Sequence, residues 1–385
     1  MSVPLGDVLR EWGRIGCVGF GGPPAHVALL RELCVERRKW LDAREFEDTN
    51  AACGLLPGPA STQLAIYCAQ RVAGLPGAIV GGLAFILPGL VAILALAALT
   101  LQEGPPNWVR GAAAGAGAAV VAVVVHAGVA LVRSSMTGLT HGRLARALDY
   151  LLVSAVVTVV AGAVVVVALL ACGLIELAVR RSPLSRGRDR GLSLHAAPAA
   201  LALAVSGAAA LPALVWTSLK VGALSYGGGF VIVPLMQHDA VTVNGWMTNN
   251  EFLNAVALGQ LTPGPVTQTV GAVGYAAAGL DGGLLASAVA FAPSFMIVAF
   301  GGRRFAALRA DPRARAFLDG AGPAAIGAIF GAAIPLARSI QLPWQGAVLA
   351  VAAVLVLTGR LGTVATLLAA AVAGVAVALA GGPLP

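Results

Sequence analysis

Between residues 50 and 102 the chain carries one charged side chain, Arg71. Further stretches without Asp, Glu, Lys or Arg run over 111–132, 150–175, 191–219, 252–280, 282–302, 320–337, 339–359 and 361–385. Each of these, like 50–70 and 72–102, is close to or above the length of about 20 apolar residues that a helix needs to cross a bilayer. Soluble domains hold roughly 25% charged residues, whereas this chain holds 11%, with 58% hydrophobic residues and a mean hydropathy of +0.86. The pattern predicts an all-α polytopic membrane protein with about ten membrane segments. A membrane barrel would show alternating strands of about 10 residues, and the sequence has no such alternation.

The net charge of +8 does not point to nucleic acid. The basic residues fall in short clusters between apolar spans, as in loops that face anionic lipid. Five cysteines (Cys17, Cys34, Cys53, Cys68, Cys172) include no C-x-x-C pair, so neither a disulfide framework nor a zinc site is expected. The segment Met1–Arg14 carries Asp7, Arg10, Glu11 and Arg14 with no apolar core, so no cleaved signal peptide is expected.

The chain repeats itself at one constant offset, without a gap. Gly21-Gly22 falls on Gly227-Gly228, Trp40 on Trp246, Glu45-Phe46 on Glu251-Phe252, and Pro57-Gly58-Pro59 on Pro263-Gly264-Pro265. Residues 16–85 against 222–291 give 17 identities in 70 positions. The basic residues then orient the two copies. Segment 31–46 has five (Arg31, Arg37, Arg38, Lys39, Arg44) and its counterpart 237–252 none, while 303–315 has five and its counterpart 97–109 none. Loops rich in Lys and Arg stay cytoplasmic, so equivalent loops are expected on opposite faces, as in the inverted repeats of secondary transporters. The expected organisation is a first repeat over 1–190, a linker transmembrane helix over 191–212, and an inverted repeat over 213–385. Residues 148–179 read as one long helix or as a hairpin turning near Ala161-Gly162. The clearer split of the second half at Gly359-Arg360 favours the hairpin.

Two positions in each half interrupt a helix, so broken or re-entrant helices are expected there. One is Gly19-Phe20-Gly21-Gly22-Pro23-Pro24, matched by Ser225-Tyr226-Gly227-Gly228-Gly229. The other is Pro57-Gly58-Pro59 followed by Ser61, Thr62 and Gln63, matched by Pro263-Gly264-Pro265 followed by Thr267, Gln268 and Thr269. Proline removes a backbone donor, and at membrane depth irregular backbone survives only inside protein or beside a water-filled cavity. A helix restarting after Pro59 or Pro265 would point free N–H groups and a partial positive charge at the break, an arrangement suited to an anion. Paired interrupted segments are also the sequence pointer to a transporter's substrate site.

The motifs resemble the chromate ion transporter family in its long, two-domain form. They include Gly19-Phe-Gly-Gly-Pro23, His26, Leu55-Leu-Pro-Gly-Pro-Ala-Ser-Thr-Gln-Leu-Ala-Ile-Tyr67, Tyr226-Gly-Gly-Gly229, Gln237-His-Asp-Ala-Val241, Ala257-Leu-Gly-Gln-Leu-Thr-Pro-Gly-Pro265 and Phe291-Ala-Pro-Ser-Phe295. The resemblance covers roughly 5–100 and 213–300. It implies export of chromate from the cytoplasm across the cell membrane, coupled to the proton-motive force, with sulfate as a close analogue. The implied partners are the oxyanion, protons and lipid, with a homodimer left open; no cofactor or metal is implied.

Candidate site residues are therefore Gly21, Gly22, Pro57, Gly58, Pro59, Ser61, Thr62, Gln63, Lys220, Gly227, Gly228, Gly229, Pro263, Gly264, Pro265, Thr267, Gln268 and Thr269. Lys220 stands alone between long uncharged stretches. It reads either as a functional cation at membrane depth or as a segment-end lysine snorkelling to the interface. Proton coupling needs a titratable group, and His26, Glu45 and Glu251 are the candidates; both glutamates sit at loop–helix junctions and can equally serve as caps. Sulfate or another oxyanion as substrate, and a passive anion channel, remain alternatives. The chain has no H-E-x-x-H and no phosphate loop, which argues against an enzyme or an ATP-driven pump.

Overall fold

Prolines and glycines, rather than charges, decide where the helices of this chain start and turn. The computed structural model describes residues 3–54, 56, 58–102, 104–137, 139–161, 164–181, 210–225 and 229–385, and among them all regular structure is helical. The first half holds α1 (Leu5–Val18), α2 (Pro23–Arg31) running into a π-helical segment (Glu32–Arg37), α3 (Ala43–Cys53), α4 (Ala60–Thr100), α5 (Asn107–Met136), α6 (His141–Val160) and α7 (Val165–Arg181). The second holds α8 (Ala210–Leu224), α9 (Ile232–Gln237) with its own π-helical segment (His238–Val243), α10 (Asn249–Leu261), α11 (Thr269–Ala310), α12 (Pro312–Arg338), α13 (Pro343–Leu357) and α14 (Thr363–Leu379). The two π-helical segments start at matched positions of the repeat, Glu32 and His238, and so do α3 at Ala43 and α10 at Asn249. Residues 148–179 form a hairpin of α6 and α7. The linker helix expected over 191–212 lies outside the described residues apart from 210–212, which open α8.

The long helices α4 and α11 are each folded back on themselves. In α4 the backbone leaves helical geometry at Ala73 and Gly74, the latter at φ 66 and ψ −160. Gly77 and Gly81 pack against Ala69, and Gly82 against Ile66. In a straight helix the last two pairs would lie about 18 and 24 Å apart, so the arms 60–72 and 75–100 run antiparallel. In α11 the turn is at Gly279 (φ 63), and Gly274 meets Gly282 and Ala286 while Gly271 meets Ser287.

The first arm of α4 also runs antiparallel to α3. Tyr67 donates from its hydroxyl to Glu45 Oε1 at 3.4 Å, and Arg71 pairs with the same carboxylate. The uncharged stretch 50–70 is therefore not a crossing. It holds the end of α3, the Pro-Gly-Pro break and most of the first arm of α4, entering and leaving the bundle on one side. The stretch 50–70 thus drops out of the candidate spans and takes the re-entrant form expected at the breaks, and the physical cause is the proline-glycine break at mid-stretch. α1 and α2 form a second re-entrant pair: Glu11 binds Arg37 and Arg38, and Trp12 stacks on Trp40 with ring centroids 6.1 Å apart. Trp12 also donates its Nε1–H to the Ala65 carbonyl at 2.8 Å, and the Val3 N–H bonds the Val72 carbonyl at 3.0 Å. α1 therefore lies along the first arm of α4.

Small residues carry the crossings, as expected where lipid supplies no drive for helix association. Gly16 lies on the Ala84 and Phe85 carbonyls, and at the matched positions Gly222 lies on Ala290. Between the halves, Gly82 packs on Phe295 and Gly283 on Leu94, so the long arms of α4 and α11 are antiparallel. Helices α5 and α12 are antiparallel too: Gly128 meets Phe330, while Leu131 and Ser135 share a cavity wall with Leu318 and Asp319. The hairpins are exchanged, since α13 and α14 pack on α5 whereas α6 and α7 pack on α12. The outward face of the long arm of α4 shows Leu75, Ile79, Leu83, Leu87 and Val91, a run at every fourth residue that forms an apolar stripe for lipid.

Following the chain, the clusters at Arg31–Arg44, Arg71, Arg133–Arg146, Arg180 and Arg313–Arg315 gather at one end of the bundle. Arg110, which donates to the Pro385 carbonyl at 2.8 Å, and Arg338 stand at the other. Gly74 occupies a backbone region essentially closed to other residues. Gly74→Val should cost on the order of 1–3 kcal/mol, read as a lower thermal midpoint of the detergent-purified protein.

Candidate functional site

The Pro-Gly-Pro breaks are the tips of re-entrant hairpins, and each is tied to the other half. The Gly58 N–H donates to the Ser225 carbonyl at 3.1 Å, and the Gly264 N–H donates to the Gly19 carbonyl at 2.9 Å. Gly58 and Gly264 occupy matched positions of the repeat, as do Gly19 and Ser225, so the two bonds are one contact made twice. Such reciprocity is what a two-fold relation between halves produces. Both tip glycines have positive φ, 118 at Gly58 and 98 at Gly264, a region that favours glycine over L side chains. A Cβ at 58 would also meet the Gln63 amide at 2.5 Å and Ser294 Oγ at 3.1 Å.

Pro59 caps the first arm of α4, and Pro265 precedes a short 3₁₀ turn (Val266–Gln268) that leads into α11. Thr62 and Gln63 donate their N–H groups to the Pro59 carbonyl, which leaves those of Ala60 and Ser61 at the open end of the helix. α2 starts after Gly22 with Pro23 and Pro24, so it directs its dipole at the break with two fewer donors.

The buried side chains divide into two groups. Ser61 pairs with His26, Thr267 with Ser225 (3.2 Å between hydroxyls), and Thr269 donates to its own Val266 carbonyl at 2.8 Å. By contrast Thr62 Oγ1 and Gln268 Oε1, at matched positions, have no partner among the described residues, and neither has Ser294 Oγ beside Gly58. Gln268 packs on Gly264 and donates its amide N–H to the Ile86 carbonyl at 2.6 Å. Unpartnered buried polar atoms are costly, about 1–3 kcal/mol each. Three of them stand near the tips with hydrogen-bonding capacity unused by the described residues.

His26 connects the tips. Its Nε2 lies 2.8 Å from the Gly19 carbonyl, which already accepts from Gly264, and its Nδ1 lies 3.1 Å from Ser61 Oγ. A carbonyl only accepts, so Nε2 donates, and in neutral His26 the Ser61 hydroxyl donates to Nδ1. Phe85 meets the ring edge-on at 5.0 Å between centroids, and no charged side chain touches it among the described residues.

The other candidates lie elsewhere. Lys220 forms an ion pair with Asp239, which also accepts from the Thr217 hydroxyl at 3.0 Å, and sits 5.7 Å from the Trp216 ring. Its charge has a partner on the second π-helical segment, in Asp239, so the ammonium is held in place by a carboxylate that offsets its charge. Glu45 is engaged by Arg71 and Tyr67, and Glu251 completes a capping box with Thr248. Both stand at the outer ends of re-entrant arms, away from the tips. Gly21, Gly22 and Gly229 line the first breaks at positive φ, and Gly22 and Gly229 pack towards Val266. Pro263 is buried at the second tip; Pro57, Gly227 and Gly228 lie outside the described residues. Sequence reasoning missed Ser225, Ser294 and Asp239. Ser225 is signalled by its alignment with Gly19, and Ser294 by its position after Pro293 in Phe291-Ala-Pro-Ser-Phe295.

If Lys220 is a structural tie, Lys220→Met should strand Asp239 and lower stability by about 3–5 kcal/mol. The double variant with Asp239→Leu should recover most of the loss and keep transport, as read by thermal unfolding and uptake assays.

Residues 6–177 and 212–375 match a family model described as the chromate transporter, and the two matched stretches begin at equivalent positions of the repeat. The chain is 32% identical over 363 residues to a chromate transport protein of Cupriavidus metallidurans, covering 92% of this chain and 88% of that protein. It is 31% identical over 340 residues to a probable chromate transport protein of Synechococcus elongatus (87% and 85% covered), and 29% identical over 362 residues to a chromate transport protein of Pseudomonas aeruginosa (88% and 82%). No solved structure matches the chain.

Proposed function

Because this chain belongs to the chromate transporter family, we propose that it carries chromate, a tetrahedral dianion, out of the cytoplasm through the meeting point of its two Pro-Gly-Pro tips. The observation that carries this reading is the reciprocal pair of bonds, Gly58 to Ser225 and Gly264 to Gly19, set among the buried hydroxyls of Thr62 and Ser294. Residues 1–190 and 213–385 are read as two inverted repeats, with the basic end of the bundle cytoplasmic and the protein in the cell membrane.

A site of neutral donors suits a dianion that must leave again. Helix N-termini and hydroxyls supply charge-assisted hydrogen bonds without a fixed countercharge to hold the ion. Re-entrant tips from opposite faces divide the path into two halves, and rocking one repeat against the other would break one tip bond and open one side. Sulfate has the same shape and charge, so it should compete at the site.

The driving force is large even before protons are considered. One charge crossing 100 mV is worth about 2.3 kcal/mol, so an inside-negative membrane drives a dianion outward with roughly twice that. Protons entering in exchange would add to it. His26 is the group placed to sense them: a proton on Nδ1 would reverse the hydrogen bond to Ser61, turning that hydroxyl from a donor to His26 into an acceptor and freeing its own proton to face the anion.

The test is chromate flux in proteoliposomes with imposed gradients, together with chromate accumulation in sensitive cells. Export against the anion's own electrochemical gradient, driven by an imposed proton gradient, is expected, with sulfate competing; flux insensitive to the proton gradient would overturn the coupling and favour a passive anion channel. Gly58→Leu and Gly264→Leu should each lower transport at least a hundredfold while the protein still inserts, and near-normal flux in both would move the site elsewhere. His26→Gln keeps a donor and an acceptor but cannot titrate. It should retain potential-driven export and lose the component driven by a pH gradient.

A further inference from the structure

At the basic end, α5, α6, α7 and α12 enclose a cavity of about 240 Å³. Its wall carries Arg143, Arg146, Tyr150, Glu176, Arg180 and Asp319. The Glu176 carboxylate is buried and saturated. It accepts from Arg146 Nε at 2.8 Å and Nη2 at 3.1 Å, from Arg180 Nε at 2.8 Å and from the Tyr150 hydroxyl at 3.1 Å. Arg180 also reaches Asp319 at 2.6 Å. Three guanidinium groups thus face two carboxylates, and Arg143 makes no ion pair among the described residues. The cavity keeps net positive charge and one uncommitted planar fork, the group that binds oxyanions in bidentate fashion.

The chain connects the cavity to the tips. Val231 lines the cavity, and two residues before it Gly229 packs on Val266 and on the backbone N of Thr267, within 3.5 Å of a Cβ placed there. The exchanged counterpart at the opposite end is built from α5, α13 and α14. Helices α13 and α14 contain no Asp, Glu, Lys or Arg, so that hairpin carries none of the charges that α6 and α7 bring to the cavity.

We propose that this cavity is a second anion site, a vestibule that captures tetrahedral oxyanions at the basic end before they reach the tips, with Arg143 as the residue that meets them. The guanidinium of Arg143 holds the incoming dianion, while Arg146 and Arg180 remain tied to Glu176 and keep the wall rigid. Because the cavity lies at the basic end, capture there favours loading from the basic face. The role as a route to the tips rests on the transport reading above; the binding itself does not.

The test uses the full-length protein in nanodiscs and in oriented proteoliposomes, with sulfate and chromate as probes. Arg143→Gln should weaken equilibrium sulfate binding about tenfold and raise KM for chromate presented at the basic face by a similar factor, with kcat within about twofold. Arg143→Lys should fall between the two. Raising ionic strength should shrink the difference, since an exposed cation is screened. Gly264→Leu should abolish flux and leave Arg143-dependent binding intact, which separates this site from the tips. Unchanged sulfate affinity in Arg143→Gln overturns the vestibule. Normal Arg143-dependent binding in a protein that moves no chromate supports the vestibule and overturns the transport reading.

Discussion

Two backbone hydrogen bonds, from Gly58 to Ser225 and from Gly264 to Gly19, hold the centre of this protein together. Each joins the tip of one half to the broken helix of the other. Their partners are main-chain groups released by proline and glycine, and at membrane depth such groups must be satisfied by protein. The halves therefore cannot separate at the tips without leaving donors and acceptors exposed in an apolar medium. The same bonds are weak enough singly, about 1 kcal/mol net, to be exchanged one at a time. The centre is thus costly to open fully and cheaper to open at one bond.

The packing around that centre explains why so little charge is needed. Gly16 and Gly222 bring α1 and α8 onto the carbonyls of the long arms, and the exchanged hairpins lock α5 to α13 and α14 and α12 to α6 and α7. Ion pairs are kept to the periphery of the re-entrant pairs and to the cavity. Glu11 with Arg37 and Arg38 fastens the first pair, and Asp239 with Lys220 and Thr217 fastens the second. The two halves solve the same mechanical problem with different residues, which sequence alignment alone does not show.

Much of the fold is legible in the chain. The constant offset of the repeat marks the matched elements, the breaks at Gly19–Pro24 and Pro57–Pro59 stand out by composition, and the hydroxyl and amide residues after each Pro-Gly-Pro do lie buried at the tips. The breaks announce broken or re-entrant helices, but which uncharged run turns back is not legible. An uncharged run such as 50–70 has the same length and composition whether it crosses the membrane once or enters and returns, and only the contact of Tyr67 and Arg71 with Glu45 decides between them. The partner of Lys220 is hidden for a related reason: its isolation in sequence says nothing of Asp239, which the fold brings to it from the second π-helical segment.

By itself, then, the sequence determined that this is a helical membrane protein of two related halves, where its helices break, and which of the chain's loops are basic. These follow from composition and local chemistry, since uncharged length, proline and glycine act on the residues beside them. The tertiary structure decided what meets what: that the tips bond across the halves, that His26 bridges Gly19 and Ser61, that Thr62 Oγ1, Gln268 Oε1 and Ser294 Oγ are left without partners among the described residues, and that Arg143 faces a cavity. These depend on contacts between residues far apart in the chain, and the directional demands of buried backbone and side-chain hydrogen bonds become specific only once those residues are brought together.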